Sequence, residues 1–296
     1  MEKIAIIGGG PAGTAAAIQL KRSGFDVTIF EKQAIGGLAV NANLIENYLG
    51  FPNGISGIRF TGLLEKHLEN LEIEVKYDEI DYIKFENNSY LLNNRLEKYS
   101  RLIIATGTKP NQLNIPGMEK IAIDKIYYEV YELLGESNKT IGIIGAGDAA
   151  FDYALNLSLT NKSIILNRSQ EIKALDLLRY RADKNPNIEN RKNVVVSEII
   201  SQKDKLLLNC KVRNEKNEDS YFEILLDYLL IAIGRQAAMP MLSNELEHGK
   251  DDLISQKRLF FIGDLINDKF RQVSLSAADG IRAAMEIKFD WDEQSK

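Results

Sequence analysis

The first fourteen residues, MEKIAIIGGGPAGT, constrain the chain more than any other stretch. Lys3 to Ile7 is a short apolar, β-branched run, which predicts a buried parallel strand. Gly8, Gly10 and Gly13 follow as G-x-G-x-x-G, then an apolar-periodic helix through Ala16, Ile18 and Leu20. A second strand, Asp26 to Phe30, ends in Glu31, about twenty residues after the glycines, the spacing of a dinucleotide-binding βαβ unit. Gly8 allows the tight turn, Gly10 lets backbone approach a pyrophosphate, and Gly13 lets helix and strand pack closely. The helix N-terminus offers unpaired N–H groups and a partial positive charge to phosphates. Glu31 can accept both hydroxyls of an adenosine ribose.

The pattern then repeats. Thr140 to Ile144 predicts a strand, Gly145-Ala146-Gly147-Asp148-Ala149-Ala150 gives G-x-G-x-x-A, and a helix is expected through Phe151, Leu155 and Leu159. A following strand, Ser163 to Leu166, ends in Asn167-Arg168. The acid of the first unit is missing here. Asn167 stands in its place, and Arg168 suits a ribose 2′-phosphate, which favours NADP slightly over NAD. A solvated surface charge is the competing reading of Arg168.

Between and after these units the chain alternates short strands with turns. Gly36-Gly37 reads either as a plain turn or as backbone pressed against a flat or phosphate-bearing ligand. The irregular stretch Glu46 to Gly57, rich in Gly, Pro and Asn, has the length of a ligand-serving loop. Residues 58 to 70 read as a helix and Glu72 to Val75 as a strand; Asp81 to Phe85 and Tyr90 to Asn93 flank the hairpin signal Asn87-Asn88. Leu102 to Gly107 and Tyr228 to Gly234-Arg235 are apolar strands closing in glycine turns, each ending one dinucleotide-binding half. Asn193 to Val196, Lys205 to Val212 and Tyr221 to Leu226 read as further strands. Arg258 to Ile262 predicts another, followed by Gly263-Asp264, an acid well placed for cofactor hydroxyls. From Gln272 a last helix begins, with about ten residues expected beyond it; its N-terminus suits a group that gains negative charge, as a reduced flavin does.

Composition narrows the function. At 296 residues, with 45% apolar and 27% charged residues, two ordinary globular domains are expected. A net charge of −5 argues against general nucleic-acid binding. No apolar run reaches the roughly eighteen residues of a membrane span, and the strand at the N-terminus leaves no signal peptide expected. A cytoplasmic protein is expected. Cys210 is the only cysteine and His67 and His248 the only histidines, so no intrachain disulfide or Cys/His metal site is expected. The chemistry therefore falls to bound cofactors.

Taken in this order, the motifs resemble those of the two-dinucleotide-domain flavoproteins, most closely the thioredoxin reductase branch. Gly8, Gly10, Pro11, Ala12 and Gly13 with Glu31 and Lys32 resemble that family's FAD adenosine site. Gly36-Gly37-Leu38 and the Glu46 to Pro52 stretch, with Asn47, are similar to its flavin-side loops. Ala105-Thr106-Gly107 and Ile115-Pro116-Gly117 resemble its crossover. Gly145, Gly147, Asp148, Ala149, Ala150 and Arg168 resemble its NAD(P)H site, Gly234-Arg235 its return strand, and Gly263-Asp264 with Arg271-Gln272-Val273 its last FAD contacts. The resemblance implies an α/β fold of two Rossmann-like domains of the three-layer ββα type. It places FAD in residues 1–111 plus 237–296 and NAD(P)H in an inserted domain, 112–236. It also implies a homodimer, in which Trp291 is either an interface anchor or simply exposed.

The departure from that family is as informative. The Cys-x-x-Cys of thioredoxin reductases falls on Tyr128 and Tyr131. Disulfide reduction needs a thiolate nucleophile and a resolving thiol, and tyrosine supplies neither. Direct thioredoxin reduction is therefore not expected. Ferredoxin–NAD(P) reductases of thioredoxin reductase type also lack this pair, and Gly147 to Leu155 is similar to theirs. The expectation is an FAD-dependent NAD(P)H oxidoreductase serving an external acceptor, with ferredoxin or flavodoxin as candidates. Tyr128 and Tyr131 either shield the flavin or are packing aromatics. The alternative is a flavin- or nicotinamide-binding regulatory protein with little turnover.

Overall fold

The computed structural model describes residues 2–93, 95–213 and 219–296. The chain forms two compact units, one of residues 1–40, 44–109 and 236–296, the other of 41–43 and 110–235. The division expected at 111/112 and 236/237 thus falls at 109/110 and 235/236, and Asn41–Asn43 group with the inserted unit.

The first unit opens with β1 (Lys3–Ile7), α1 (Pro11–Arg22) and β2 (Asp26–Glu31), followed by α2 (Gly57–Asn70). Next come β3 (Glu74–Tyr77), β4 (Tyr82–Glu86), β5 (Ser89–Leu92) and β6 (Arg101–Ile104). β7 (Thr108–Pro110) leads into the second unit, which holds β8 (Ile126–Tyr127), β9 (Thr140–Ile144), α3 (Asp148–Leu157), β10 (Lys162–Leu166), α4 (Asp176–Asp183) and β11 (Ile188–Arg191). β12 (Val194–Gln202), β13 (Lys205–Arg213), β14 (Asp219–Leu226) and β15 (Tyr228–Ile231) complete it. β16 (Arg235–Ala237) returns the chain to the first unit, which ends with β17 (Met241–Leu242), α5 (Asn244–Ser255), β18 (Leu259–Phe261) and α6 (Val273–Gln294).

In the first unit a parallel sheet runs β18-β6-β1-β2-β3, accompanied by a smaller sheet β17-β4-β5. β1 and β6 are buried throughout apart from Lys3, as strands covered on both faces must be. One core lies on the α1/α6 side, around Ile4, Ile6, Leu20 and Ile287; the other fills the side toward the small sheet, around Phe30, Tyr90, Tyr99 and Leu102. The second unit repeats the plan with parallel order β11-β10-β9-β15-β8 and an antiparallel sheet β12-β13-β14. Its two cores are centred on Phe151 and Ile143, and on Leu208, Leu226 and Leu229. Each unit is thus a helix layer, a parallel sheet and a three-stranded sheet, which is mixed in the first unit and antiparallel in the second.

Local chemistry explains where elements differ from the sequence reading. β3 begins at Glu74 rather than Glu72, because Glu72 is spent in a left-handed turn (φ 49°) closing α2. α3 ends at Leu157, leaving Leu159 exposed on the turn that follows. α6 continues to Gln294, so the last helix takes up nearly all of the expected ten-residue tail. Trp291 lies on it, packed edge-on against Phe25 with centroids 6.0 Å apart. The Asn87-Asn88 hairpin holds, with both residues at positive φ (48° and 62°) as a type I′ turn demands.

Candidate functional sites at the two glycine turns

In the first unit the glycine turn is built by close approach. A Cβ on Gly8 would lie 2.3 Å from the Ala105 carbonyl oxygen, and one on Gly13 would lie 1.9 Å from that of Gly8. Gly8 also has φ 104°, which an L side chain rarely adopts. Gly10 differs: a Cβ there would meet nothing within 4 Å. It is the N-cap of α1, with Pro11 at the first helical position and no side chain capping the end. The turn is therefore tight where protein meets protein and bare where the helix N-terminus opens, as a pyrophosphate cradle requires.

Glu31 closes this cradle. Its carboxylate is buried and accepts the Gly9 N–H at 2.7 Å and the Gln33 N–H at 2.9 Å. Four acceptor positions exist on a carboxylate, so two remain for ribose hydroxyls. Lys32 points outward, 3.6 Å from Glu79. Gly36 donates its N–H to the Gly9 carbonyl at 2.8 Å, and a Cβ on Gly37 would sit 3.2 Å from Gly10 Cα. The Gly36-Gly37 loop is thus part of the cradle wall, and Leu38 follows it half-exposed.

The other sheet strands deliver their residues to the same carboxyl edge. Ala105 and Thr106 follow β6, and Gly107 turns the chain at φ 63°. The Thr106 hydroxyl is buried with no hydrogen-bond partner, a polar group left open at the cradle. Gly263 and Asp264 follow β18, and Asp264 accepts the Ser276 hydroxyl at 2.7 Å. Gln272 caps α6 with its backbone, and its side chain accepts from the Asn47 amide. Ser274 Oγ also donates to the Asn47 carbonyl, so Asn47 is tied to the α6 N-terminus. Arg271 is partly buried just before that end, and Val273 is its first helical residue. The residues present fit an FAD: a bare helix N-terminus, a ribose acceptor, an open buried hydroxyl and a second helix end at one sheet edge.

The second unit repeats the cradle with a different clasp. A Cβ on Gly145 would lie 2.3 Å from the Ala232 carbonyl oxygen, whereas Gly147, the N-cap of α3, has open space. Asp148 and Ala149 are exposed at the helix start, and Ala150 is buried beneath Gly145. Asp148 Oδ1 accepts the Leu175 N–H at 2.8 Å, and the Ala146 carbonyl accepts the Lys173 N–H at 2.9 Å. Asn167 is buried and Arg168 exposed. This turn too fits a dinucleotide pyrophosphate. Sequence reading missed Lys173; a basic residue a few positions past Arg168 was the available signal.

Tyr128 and Tyr131 diverge. Tyr128 packs against the second core near Leu113 and Ile126, and its hydroxyl stands 3.5 Å from the Leu113 N–H. Tyr131 is 53% exposed. Their segment is held by Asn41 and Glu129, absent from the sequence reading, and by Arg235, read there only as part of the return strand. Asn41 Oδ1 accepts the Tyr131 N–H at 3.0 Å, and its Nδ2 donates to Glu129 at 2.8 Å. Arg235, which follows Gly234 (φ 102°), pairs with Glu129 at 2.6 Å. Cys210 is 1% exposed on β13, and burial pushes its thiol up to about 11. Such a thiol is neither a nucleophile nor a redox partner at neutral pH. Among the described residues no cluster of His, Cys, Asp or Glu could hold a metal ion, and no helix is long and apolar enough to cross a membrane.

Two glycine-turn units, one inserted in the other, define a class of flavin- and nicotinamide-dependent enzymes, and residues 2–280 match the family model for pyridine nucleotide-disulphide oxidoreductase. The chain belongs to that family, whose thioredoxin reductase branch uses FAD and NAD(P)H. It is 29% identical to thioredoxin reductase of Buchnera aphidicola, over 96% of this chain and 95% of that protein. Among solved structures it is similar to Lactococcus lactis thioredoxin reductase, with TM-score 0.83 and 26% identity, covering 99% of this chain and 100% of that one. Thioredoxin reductase of T. acidophilum gives TM-score 0.82 at 25% identity, covering 98% and 99%.

Proposed function

We propose that this protein is an FAD-dependent NAD(P)H oxidoreductase that passes electrons to an external acceptor and carries no disulfide of its own. The observation that carries this reading is the sulfur inventory. By their spacing from Gly145, Tyr128 and Tyr131 fall where thioredoxin reductases carry their thiol pair, and the sole thiol, Cys210, is shut inside the second unit. FAD is assigned to the first unit's cradle and the nicotinamide dinucleotide to the second's.

When bound, a flavin accepts hydride from a nicotinamide and releases electrons singly or in pairs. This chain's own residues bind and orient. The α1 and α3 N-termini hold the two pyrophosphates, and Glu31 takes the adenosine ribose. The α6 N-terminus, braced through Gln272 and Asn47, supplies a partial positive charge to an electron-rich edge. Hydride transfer needs no general acid or base, in keeping with the lack of His chemistry at either turn. Ferredoxin or flavodoxin are the acceptors we favour, with a homodimer as the working form. The apolar stripe Ile281, Met285 and Phe289, exposed along α6, supports a partner on that face.

Anaerobic mixing with NADPH and NADH tests this. Loss of the flavin band at about 450 nm with either donor is expected, because the cofactor does the chemistry. Subsequent turnover is expected with ferredoxin or flavodoxin and absent with oxidised thioredoxin. Sustained thioredoxin reduction would overturn the reading, and a bound flavin that never bleaches would favour a regulatory protein.

A further inference from the structure

The two cradles are clasped differently, and the difference falls on one side chain. In the first unit Glu31 reaches back to the glycine turn through the Gly9 N–H. In the second, Asn167 holds the same strand-end position, is 2% exposed, and among the described residues its side chain makes no hydrogen bond to its glycine turn. Both ends of its amide are spent on its own loop. Oδ1 accepts the Ser169 N–H at 3.1 Å and the Ser169 hydroxyl at 3.3 Å, while Nδ2 donates to the Glu171 carbonyl at 2.8 Å. The loop so closed is moored to the glycine turn through the Lys173 N–H on Ala146, and its end is moored through the Leu175 N–H on Asp148. Arg168 and Lys173 are left exposed on it, with no ion pair or side-chain hydrogen bond among the described residues.

We infer that Asn167 is a positioning residue for nicotinamide selection: by closing the 167–171 loop with its amide it holds Arg168 as an unpaired cation at the rim of the cradle, where a ribose 2′-phosphate is recognised. This rests on the second unit being the nicotinamide site. Asn167 itself makes no ribose contact in this scheme, since its polar atoms are already engaged and buried. A carboxylate at that position would bid for the 2′-hydroxyl and repel the phosphate. An amide turned inward does neither, and discrimination passes to the neighbouring guanidinium, which is suited to phosphate geometry. A loop fixed at both ends spares the ordering entropy that a mobile arginine would lose on binding.

The test uses the FAD-loaded full-length protein and direct binding of NADP+ and NAD+ by calorimetry, so turnover is not the readout. The variants are Asn167→Ala, Arg168→Ala and the double variant. Each single change is expected to weaken NADP+ about tenfold or more, the worth of a charge-assisted contact, with NAD+ changed less than about twofold. The double variant should be no weaker than the weaker single, because one residue acts through the other. If Asn167→Ala does not fold, Asn167→Ser is measured instead; it adds no charge, is too short to bridge Ser169 and Glu171, and should weaken NADP+ while sparing NAD+. The inference falls if NADP+ affinity survives the Asn167 change, if NAD+ weakens equally, or if the two substitutions add independently. Failure of the unaltered protein to bind either dinucleotide would instead remove the assignment of the second unit.

Discussion

At the scale of single residues, Glu31 makes the sharpest claim. Its carboxylate satisfies two backbone N–H groups and keeps capacity for a ribose. Glu31→Ala would strand the Gly9 N–H and remove the ribose acceptor together. FAD affinity is expected to fall at least tenfold, the usual consequence of losing hydrogen bonds to a charged group at about 1.5–3 kcal/mol. Fluorescence titration of the apoprotein with FAD measures it, and unchanged affinity would remove Glu31 from the site. The glycines and Glu31 were legible in the sequence because their spacing is itself the mechanism: strand, turn and helix fix where each must fall. Asn41 and Glu129 were not legible. They meet across 88 residues of chain, each is an ordinary polar residue locally, and no periodicity joins them. Asn167 was legible only as a missing acid; that its amide folds back onto Ser169 and Glu171 is information carried by a loop.

Among elements, α6 depends on one close crossing. A Cβ on Gly280 would lie 2.1 Å from the Ala12 carbonyl oxygen and 2.9 Å from Ala16 N, backbone atoms of α1 that cannot yield. Gly280→Ala must lift α6 away, at about 1–3 kcal/mol for an overpacked core site. FAD binding should weaken too, because the same helix carries the Gln272 end. Gly62→Ala is the matched control: it lies in α2 with nothing within 4 Å of its Cβ, so a gain of about 0.5–1 kcal/mol is expected. Urea midpoints for the two variants should move in opposite directions. Elements opening on a glycine turn were readable, since the alternation of apolar strand and apolar-striped helix is strong there. α5 was not: only Leu246 and Leu253 are buried, and Gly249 sits inside it. Its one usable signal was Ser243, which accepts the Leu246 N–H at 3.2 Å as an N-cap ahead of Glu245 and Glu247. α4 was missed for a similar reason, being eight residues long with Leu177 and Tyr180 facing solvent.

For the molecule as a whole, each unit encloses its own pair of cores and its own cradle. A ligand that binds only folded protein raises the stability of the unit it occupies by mass action. Calorimetric scans should therefore show FAD moving one transition and NADP+ another, with a single transition moved equally by both as the contrary result. Two successive βαβ units predicted this plan from sequence, whereas the sorting of Asn41–Asn43 into the inserted unit depended on contacts no local pattern announces. Relatives that work through a thiol pair must expose sulfur to do their work, and so must risk losing it to peroxides, heavy metals and alkylating agents. With Cys210 walled inside a sheet, this chain offers such poisons no thiol until it unfolds.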